Sequence, residues 1–368
     1  MPPRHDLDHA STSPLRPAAR DAMKTLLDEP LGDPSRVHHD GLAARARLEQ
    51  ARESVAGFFG ARPREVVFTS GATESIATAC WGGAERGSNQ VVPAVEHSAV
   101  RLAAAMHSGV RAVGVDRAGR VDPDEVLASI DDETAVVHLQ WGNHEVGTLQ
   151  PIADVVEACR ARGVLVHIDA AQAAGRVPID FRELGADLVS ISGHKLGGPP
   201  GTGVLLIRRG VRLRPLLVGG DQELARRAGL ENVVGAVGLA AAVESIGVEG
   251  EASTQRALSD RLASVVTSID GVARYGHAEQ RLPHIVCAGI PDIEPQAVLF
   301  GLDRQGVRAH AGSACASADL EPSPVLEAMG VDAHRSLRLS VGWSSSEADV
   351  EAVGAALPEI IGELRRLR

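Results

Sequence analysis

A chain of 368 residues with 44% hydrophobic and 23% charged residues is long enough to bury a sizeable core and is not a disordered polymer. Its formal net charge of −11 and 2% aromatic content exclude the usual routes to nucleic acid, which are phosphate neutralisation by lysine and arginine and base stacking on aromatic rings. Small molecules or proteins are the partners this composition favours.

The amino terminus, Met1-Pro2-Pro3-Arg4-His5-Asp6-Leu7-Asp8, has no apolar core of a secretion signal. No apolar run reaches membrane-spanning length either, so a cytoplasmic location and no membrane partner are the expectation. The four cysteines, Cys80, Cys159, Cys287 and Cys315, are far apart and include no Cys-x-x-Cys pair, so neither a metal site nor a dithiol is expected.

Residues 6 to 13 are polar and turn-forming, and helical spacing follows from Arg16 to Leu27 and again from Leu42 to Phe59. Glu65 to Thr69 reads as a short strand. The turn Ser70-Gly71-Ala72-Thr73-Glu74 then leads into a helix from Ser75, and small residues there leave backbone N–H groups open to a phosphate or carboxylate. Gln90 to His97 is an apolar segment ending in an imidazole, with a helix over Ser98 to His107. The strand Ala135 to Trp141 delivers Gly142-Asn143-His144-Glu145-Val146-Gly147 into a loop. A helix over 152 to 162 precedes the strand Gly163 to Asp169, with Ala170-Ala171-Gln172 beyond its end.

The next strand, Ala186 to Ile191, runs into Ser192-Gly193-His194-Lys195-Leu196-Gly197-Gly198-Pro199-Pro200-Gly201, and Gly203 to Ile207 is a further strand. A lysine in so tight a turn has a chemical reading: a desolvated amine loses its proton readily and condenses with a carbonyl. Alternating strands and helices imply a largely parallel sheet covered on both faces, whose ligands gather at the carboxyl ends of the strands. Thr73, His97, Asn143, Asp169, Gln172 and Lys195 all fall there.

From about residue 250 the pattern changes. A helix from Ser253 to Ile269, short apolar pieces such as His284 to Cys287, and a last helix from Ser346 to Leu367 indicate a smaller α+β unit. Within it, His310-Ala311-Gly312-Ser313-Ala314-Cys315 surrounds one thiol with small residues, unlike a buried structural cysteine.

Together these segments resemble the cysteine desulfurases of the NifS and IscS type, pyridoxal-phosphate enzymes of fold type I within the class V aminotransferases. Ser192-Gly193-His194-Lys195 is the most specific element. The resemblance implies an α/β fold with a large, mainly parallel seven-stranded sheet flanked by helices, and a smaller α+β carboxyl-terminal domain. It places the large cofactor-binding domain at 14–250, and assigns 1–13 and 251–368 to the small domain with the catalytic cysteine loop.

By the same resemblance, Lys195 would hold pyridoxal 5'-phosphate through its amine and later move the substrate α-proton. Asp169 would pair with the ring nitrogen, and Gln172 with the ring hydroxyl oxygen. Thr73, Ser192 and His194 would hold the phosphate, Gly71 and Ala72 would bind the cofactor beside them, and His97 would stack on the ring and transfer protons. Asn143 and Arg338 would bind the substrate carboxylate, a task suited to a guanidinium fork. Cys315 would take sulfur from L-cysteine as a persulfide, leaving alanine, and pass it to an acceptor protein.

A homodimer is implied as well. Four positions depart from the family pattern: Asp221 stands for a third glycine, Leu230 for a threonine that reaches the neighbouring subunit's phosphate, Asp33 for asparagine and Trp343 for a second arginine. The same cofactor residues would also serve a lyase or transaminase acting on selenocysteine or a sulfinate, and a catalytically silent sulfur-assembly scaffold is the reading from another class.

Overall fold

The computed structural model describes residues 4–312 and 322–367. Its strands are β1 (His5–Asp6), β2 (Val66–Thr69), β3 (Asn89–Pro93), β4 (Gly109–Val113), β5 (Thr134–Gln140), β6 (Leu165–Asp169), β7 (Leu188–Ser192), β8 (Gly203–Ile207), β9 (Ala273–Tyr275), β10 (Ile285–Gly289), β11 (Val307–Arg308) and β12 (Ser336–Ser340).

Seven strands form the central sheet in the order β2-β8-β7-β6-β5-β3-β4. All neighbouring pairs from β7 to β4 are parallel, whereas β8 is antiparallel to both β7 and β2. The large sheet is therefore mainly parallel, as its alternation with helices predicts. The exception follows from chain length: the short connection Gly193–Thr202 cannot make the crossover that a parallel neighbour requires. Every residue of β5, β6, β7 and β8 is buried, which is why they read as near-continuous apolar runs. Strand β4 escapes such a reading because it is an edge strand with only Val113 buried.

The helices Pro17–Leu27, Ser98–His107 and Ile152–Arg162 fall where the spacing puts them. The helix after β2 starts at Ala72, earlier than the expected Ser75. Val233–Glu244 shows no amphipathic stripe because most of its surface is covered, so its sequence carries no helical periodicity to read.

Strands β9, β10 and β12 form a separate antiparallel sheet, and Leu258, Leu262, Leu302, Leu339 and Leu357 build a second core around it. Leu7 belongs to that core, and β1 pairs in parallel with β11. The chain then leaves Asp8, bridged to Ser340, and carries Ala10 and Ser11 toward the sheet's strand ends.

Glu223, Leu224 and Ala225 occupy the left-handed region, with φ of 49°, 59° and 59°. Such a run costs about 1–2 kcal/mol per residue and needs an anchor. Glu223 supplies it: its buried carboxylate takes both arms of Arg52, at 2.7 and 2.8 Å, and the Phe68 N–H at 2.8 Å.

Candidate active site

Lys195 sits in the turn directly beyond β7. Two glycines make that turn possible. A Cβ at Gly193 would lie 2.3 Å from Thr202 Oγ1, and Gly197 ends the turn with a φ of 78°. The main chain of Lys195 is held from the far side, where its carbonyl accepts from Ser13 Oγ at 3.2 Å and from Arg176 Nη2 at 3.1 Å. Burial removes water from the ammonium and lowers its pKa to about 8, although Asp169 pulls the other way. The amine is thus available near neutral pH.

Asp169 closes β6, is 7% exposed, and accepts the Ala171 N–H on Oδ1 at 2.9 Å. Gln172 donates one amide hydrogen to the Ala10 carbonyl at 2.8 Å and accepts from His284 Nε2 at 3.2 Å, which leaves its second hydrogen for a ligand. His97 caps the helix Ser98–His107: its Nδ1 accepts from the Ala99 N–H at 3.1 Å, so the ring proton resides on Nε2. Burial, then His144, lowers the His97 pKa to about 4, and the ring is neutral.

The helix Ala72–Gly83 opens without a side-chain cap, and Ser75 is the first residue whose N–H returns to Gly71 O, at 3.2 Å. The preceding N–H groups and the positive end of the helix dipole form an anion cradle. Glu74 steadies its entrance by accepting the Ser70 N–H at 2.8 Å while Arg227 grips its other oxygen at 3.0 Å. His194, bonded through Nδ1 to Thr12 Oγ1 at 3.1 Å, is held neutral by burial at a pKa of about 4.

Arg338 lies on β12, 2% exposed, where its Nη1 donates to the His144 carbonyl at 2.8 Å. Its Nη2 donates to Asp8 at 3.1 Å and to Ser11 Oγ at 2.7 Å. The Nε–H has no partner among the described residues, an unmet donor of the kind a bound carboxylate satisfies.

Gly71, Ala72, Thr73, His97, Asp169, Gln172, Ser192, His194, Lys195 and Arg338 all line one cavity of about 400 Å³. Asn143 is not among the residues that line it. It is fully buried, its Oδ1 accepts the N–H groups of Glu145 and Val146 at 2.8 and 2.9 Å, and its amide donates to the Val95 carbonyl at 3.2 Å. Its oxygen thus shapes the loop that presents His144, and its nitrogen also faces Gln140 Oε1 at 3.5 Å. Cys315 lies outside the described residues. Trp343 also stays off the cavity wall, stacking on Arg16 at 5.3 Å and donating to the Pro14 carbonyl at 3.0 Å.

Ser11, Gln140, His144 and His310 line the cavity too, and sequence reasoning singled out none of them as ligands. Position at a strand end is a signal for Gln140 and His144. Ser11 and His310 reach the cavity through pairing of distant segments, which leaves no local trace.

The donor set has a definite chemistry. An amine for an aldehyde, an acid for a ring nitrogen, an amide for a ring oxygen, a helix start for a phosphate and a guanidinium for a carboxylate surround one space. That set fits pyridoxal phosphate and an amino acid.

Comparison with known proteins agrees. The family described as aminotransferase class-V matches residues 6–353. A cysteine desulfurase IscS from Methanosarcina thermophila is 39% identical over 374 residues, covering 98% of this chain and 93% of that protein. A solved NifS-like protein superposes with a TM-score of 0.91 at 32% identity, covering 98% of this chain and 100% of the other. A structure described as SspA in complex with cysteine gives 0.82 at 26% identity over 93% of this chain and 100% of that one. Similarity this long, with the lysine, the acid and the arginine converging on one cavity, establishes that the chain belongs to the class V aminotransferase family, among the cysteine desulfurases of the NifS and IscS type.

Proposed function

We infer that this protein binds pyridoxal 5'-phosphate and removes sulfur from L-cysteine, giving L-alanine and a persulfide on Cys315 for transfer to an acceptor protein. One observation carries the reading: Lys195, with its pKa lowered to about 8, shares a cavity with Asp169, Gln172 and the open start of the Ala72–Gly83 helix. When bound, the cofactor supplies an electron sink for the substrate's α-carbon.

The protein's own groups do the rest. Asp169 keeps the ring nitrogen protonated, the helix start with Thr73, Ser192 and His194 holds the phosphate, and Arg338 orients the substrate carboxylate. Lys195 moves the α-proton, and His97 holds a proton on Nε2 at the cavity wall. The Cys315 thiolate attacks the substrate sulfur: an S–S bond forms, the C–S bond breaks, and its electron pair stays on carbon. That carbon takes up a proton to become the methyl group of alanine, so no outside reductant is consumed.

Leu217, Val218, Leu224 and Leu230 leave apolar surface exposed in one segment, which supports a homodimer in which a second copy covers it. Leu230, 67% exposed, offers no hydroxyl to a partner's phosphate.

The test is turnover of L-cysteine by the purified, cofactor-loaded protein. Alanine and sulfide should appear in equal amounts when a thiol reductant is present. Cys315→Ser should abolish both while the absorbance of the lysine-bound cofactor persists. Full-rate alanine formation by Cys315→Ser would sink the role of that thiol, and turnover confined to selenocysteine or a sulfinate would replace cysteine as the substrate.

A further inference from the structure

His310 and Arg338 face each other across an antiparallel bridge between segments far apart in sequence. His310 N donates to the Arg338 carbonyl at 3.1 Å, and Arg338 N donates to the His310 carbonyl at 2.7 Å. Residues that exchange both bonds in this way send their side chains to the same side of the ladder, and both of these line the cavity.

The imidazole is fixed in one tautomer. Its Nδ1 accepts the Gly312 N–H at 3.1 Å, which puts the ring proton on Nε2. Burial, and next the charge of Arg338, lower its pKa, so the ring is a neutral donor and not a cation or a base. Arg338 adds an Nε–H without an acceptor among the described residues, in a side chain 2% exposed. Asn143 is not on the cavity wall: its oxygen accepts from Glu145 and Val146, and its amide nitrogen donates to Val95 and Gln140. One end of the cavity therefore presents the His310 ring beside an Arg338 Nε–H that has no acceptor among the described residues.

We propose that His310 is a substrate-binding residue which, together with Arg338, holds the α-carboxylate of the amino acid taken into the cavity. The inference rests on the reading above that the ligand is a small amino acid, and it names a group that completes its binding. Two donors on bridged neighbouring segments match the two oxygens of a carboxylate, and a backbone-anchored ring costs little side-chain entropy to hold in place.

The experiment compares L-alanine with ethylamine, the same skeleton without the carboxylate, by calorimetric titration of the cofactor-loaded protein. His310→Ser should weaken L-alanine about tenfold and change ethylamine less than about twofold. His310→Phe keeps a ring of similar bulk without the donor and should show the same selective loss, which serves where the serine variant does not fold. His310→Gln, which keeps a donor, should recover most of the affinity. In turnover, the KM for L-cysteine should rise about tenfold in His310→Ser with kcat within about twofold.

Unchanged L-alanine binding in both donor-free variants overturns the proposal, as does equal weakening of the two ligands. An unaltered protein that binds L-alanine no better than ethylamine overturns it too. Because the titrations involve no turnover, an unaltered protein that binds L-alanine selectively yet releases no alanine from cysteine counts against the proposed activity and not against His310.

Discussion

The Ser323 hydroxyl donates to Glu145 Oε2 at 2.6 Å, fastening the loop after β5 to the helix Pro324–Ala328, which Ser323 also caps. Burial drives the Glu145 pKa from 4.5 up to about 7, and the bond from Ser323 offsets only part of that rise. The folded protein therefore keeps a proton on Glu145 over a range where the unfolded chain has lost it, and this group's contribution to stability falls as pH climbs from 4.5 to 7. Glu145→Gln keeps an acceptor for Ser323 and removes the ionisation. It should match the unaltered protein below pH 4.5 and exceed it by about 3 kcal/mol above pH 7, at 1.36 kcal/mol per unit. Denaturant titrations at several pH values measure this difference, and a gap that does not widen with pH would remove the buried carboxylic acid from the account.

Lys195 has its pKa lowered from 10.5 to about 8. Its free amine forms as pH rises through 8, so the initial rate at which cofactor-free protein reacts with pyridoxal phosphate should climb through about that pH and then level off. Lys195→Arg should show no such absorbance change at any pH. A rate still rising as steeply above pH 10 would mean an amine in its ordinary range.

Arg338 is bound to the His144 carbonyl, Asp8 and Ser11, yet its Nε–H has no partner among the described residues. Arg338→Lys retains the charge but not the planar fork, and should weaken L-alanine binding by roughly tenfold to a hundredfold. Calorimetric titration reads the effect. Affinity within about twofold of the original would place the carboxylate elsewhere in the cavity.

The left-handed run at Glu223–Ala225 makes two opposite predictions. Glu223→Ala strands the buried guanidinium of Arg52 and should cost about 3 kcal/mol. Leu224→Gly relieves a φ of 59° at an exposed side chain and should stabilise by roughly 0.5–1 kcal/mol, after glycine's greater freedom in the unfolded chain is subtracted. The midpoints of chemical denaturation give both signs. A glycine variant less stable than the original would show that Leu224 packs against something, as a partner subunit would provide.

Much of this architecture is local in origin. An apolar run that stays buried reads the same whatever its neighbours, so β5, β6, β7 and β8 and the helix Ile152–Arg162 were legible in the chain, and with them Asp169, Gln172 and Lys195 at strand ends. Patterning fails where local signal and environment part company. Strand β4 lacks a buried face, the helix Val233–Glu244 lacks an exposed one, and β8 looks like its parallel neighbours although its short connection reverses it.

The same division runs through the site. Sequence alone determined which chemistry is possible, because an amine, an acid, an amide and an arginine at those positions are a property of the chain. Only the tertiary structure decided which polar groups are free to perform it. Asn143 and Arg338 are equally plausible carboxylate ligands on paper, yet the Asn143 oxygen is taken by the turn and its amide hydrogens face Val95 and Gln140, while Arg338 keeps an Nε–H without a partner among the described residues. Ser11 and His310 reach the cavity because the edge of β12 that β10 leaves unpaired is bridged by His310 at Arg338 and by Asp8 at Ser340. Hydrogen-bond pairing between distant segments sets that arrangement, and no local periodicity encodes it.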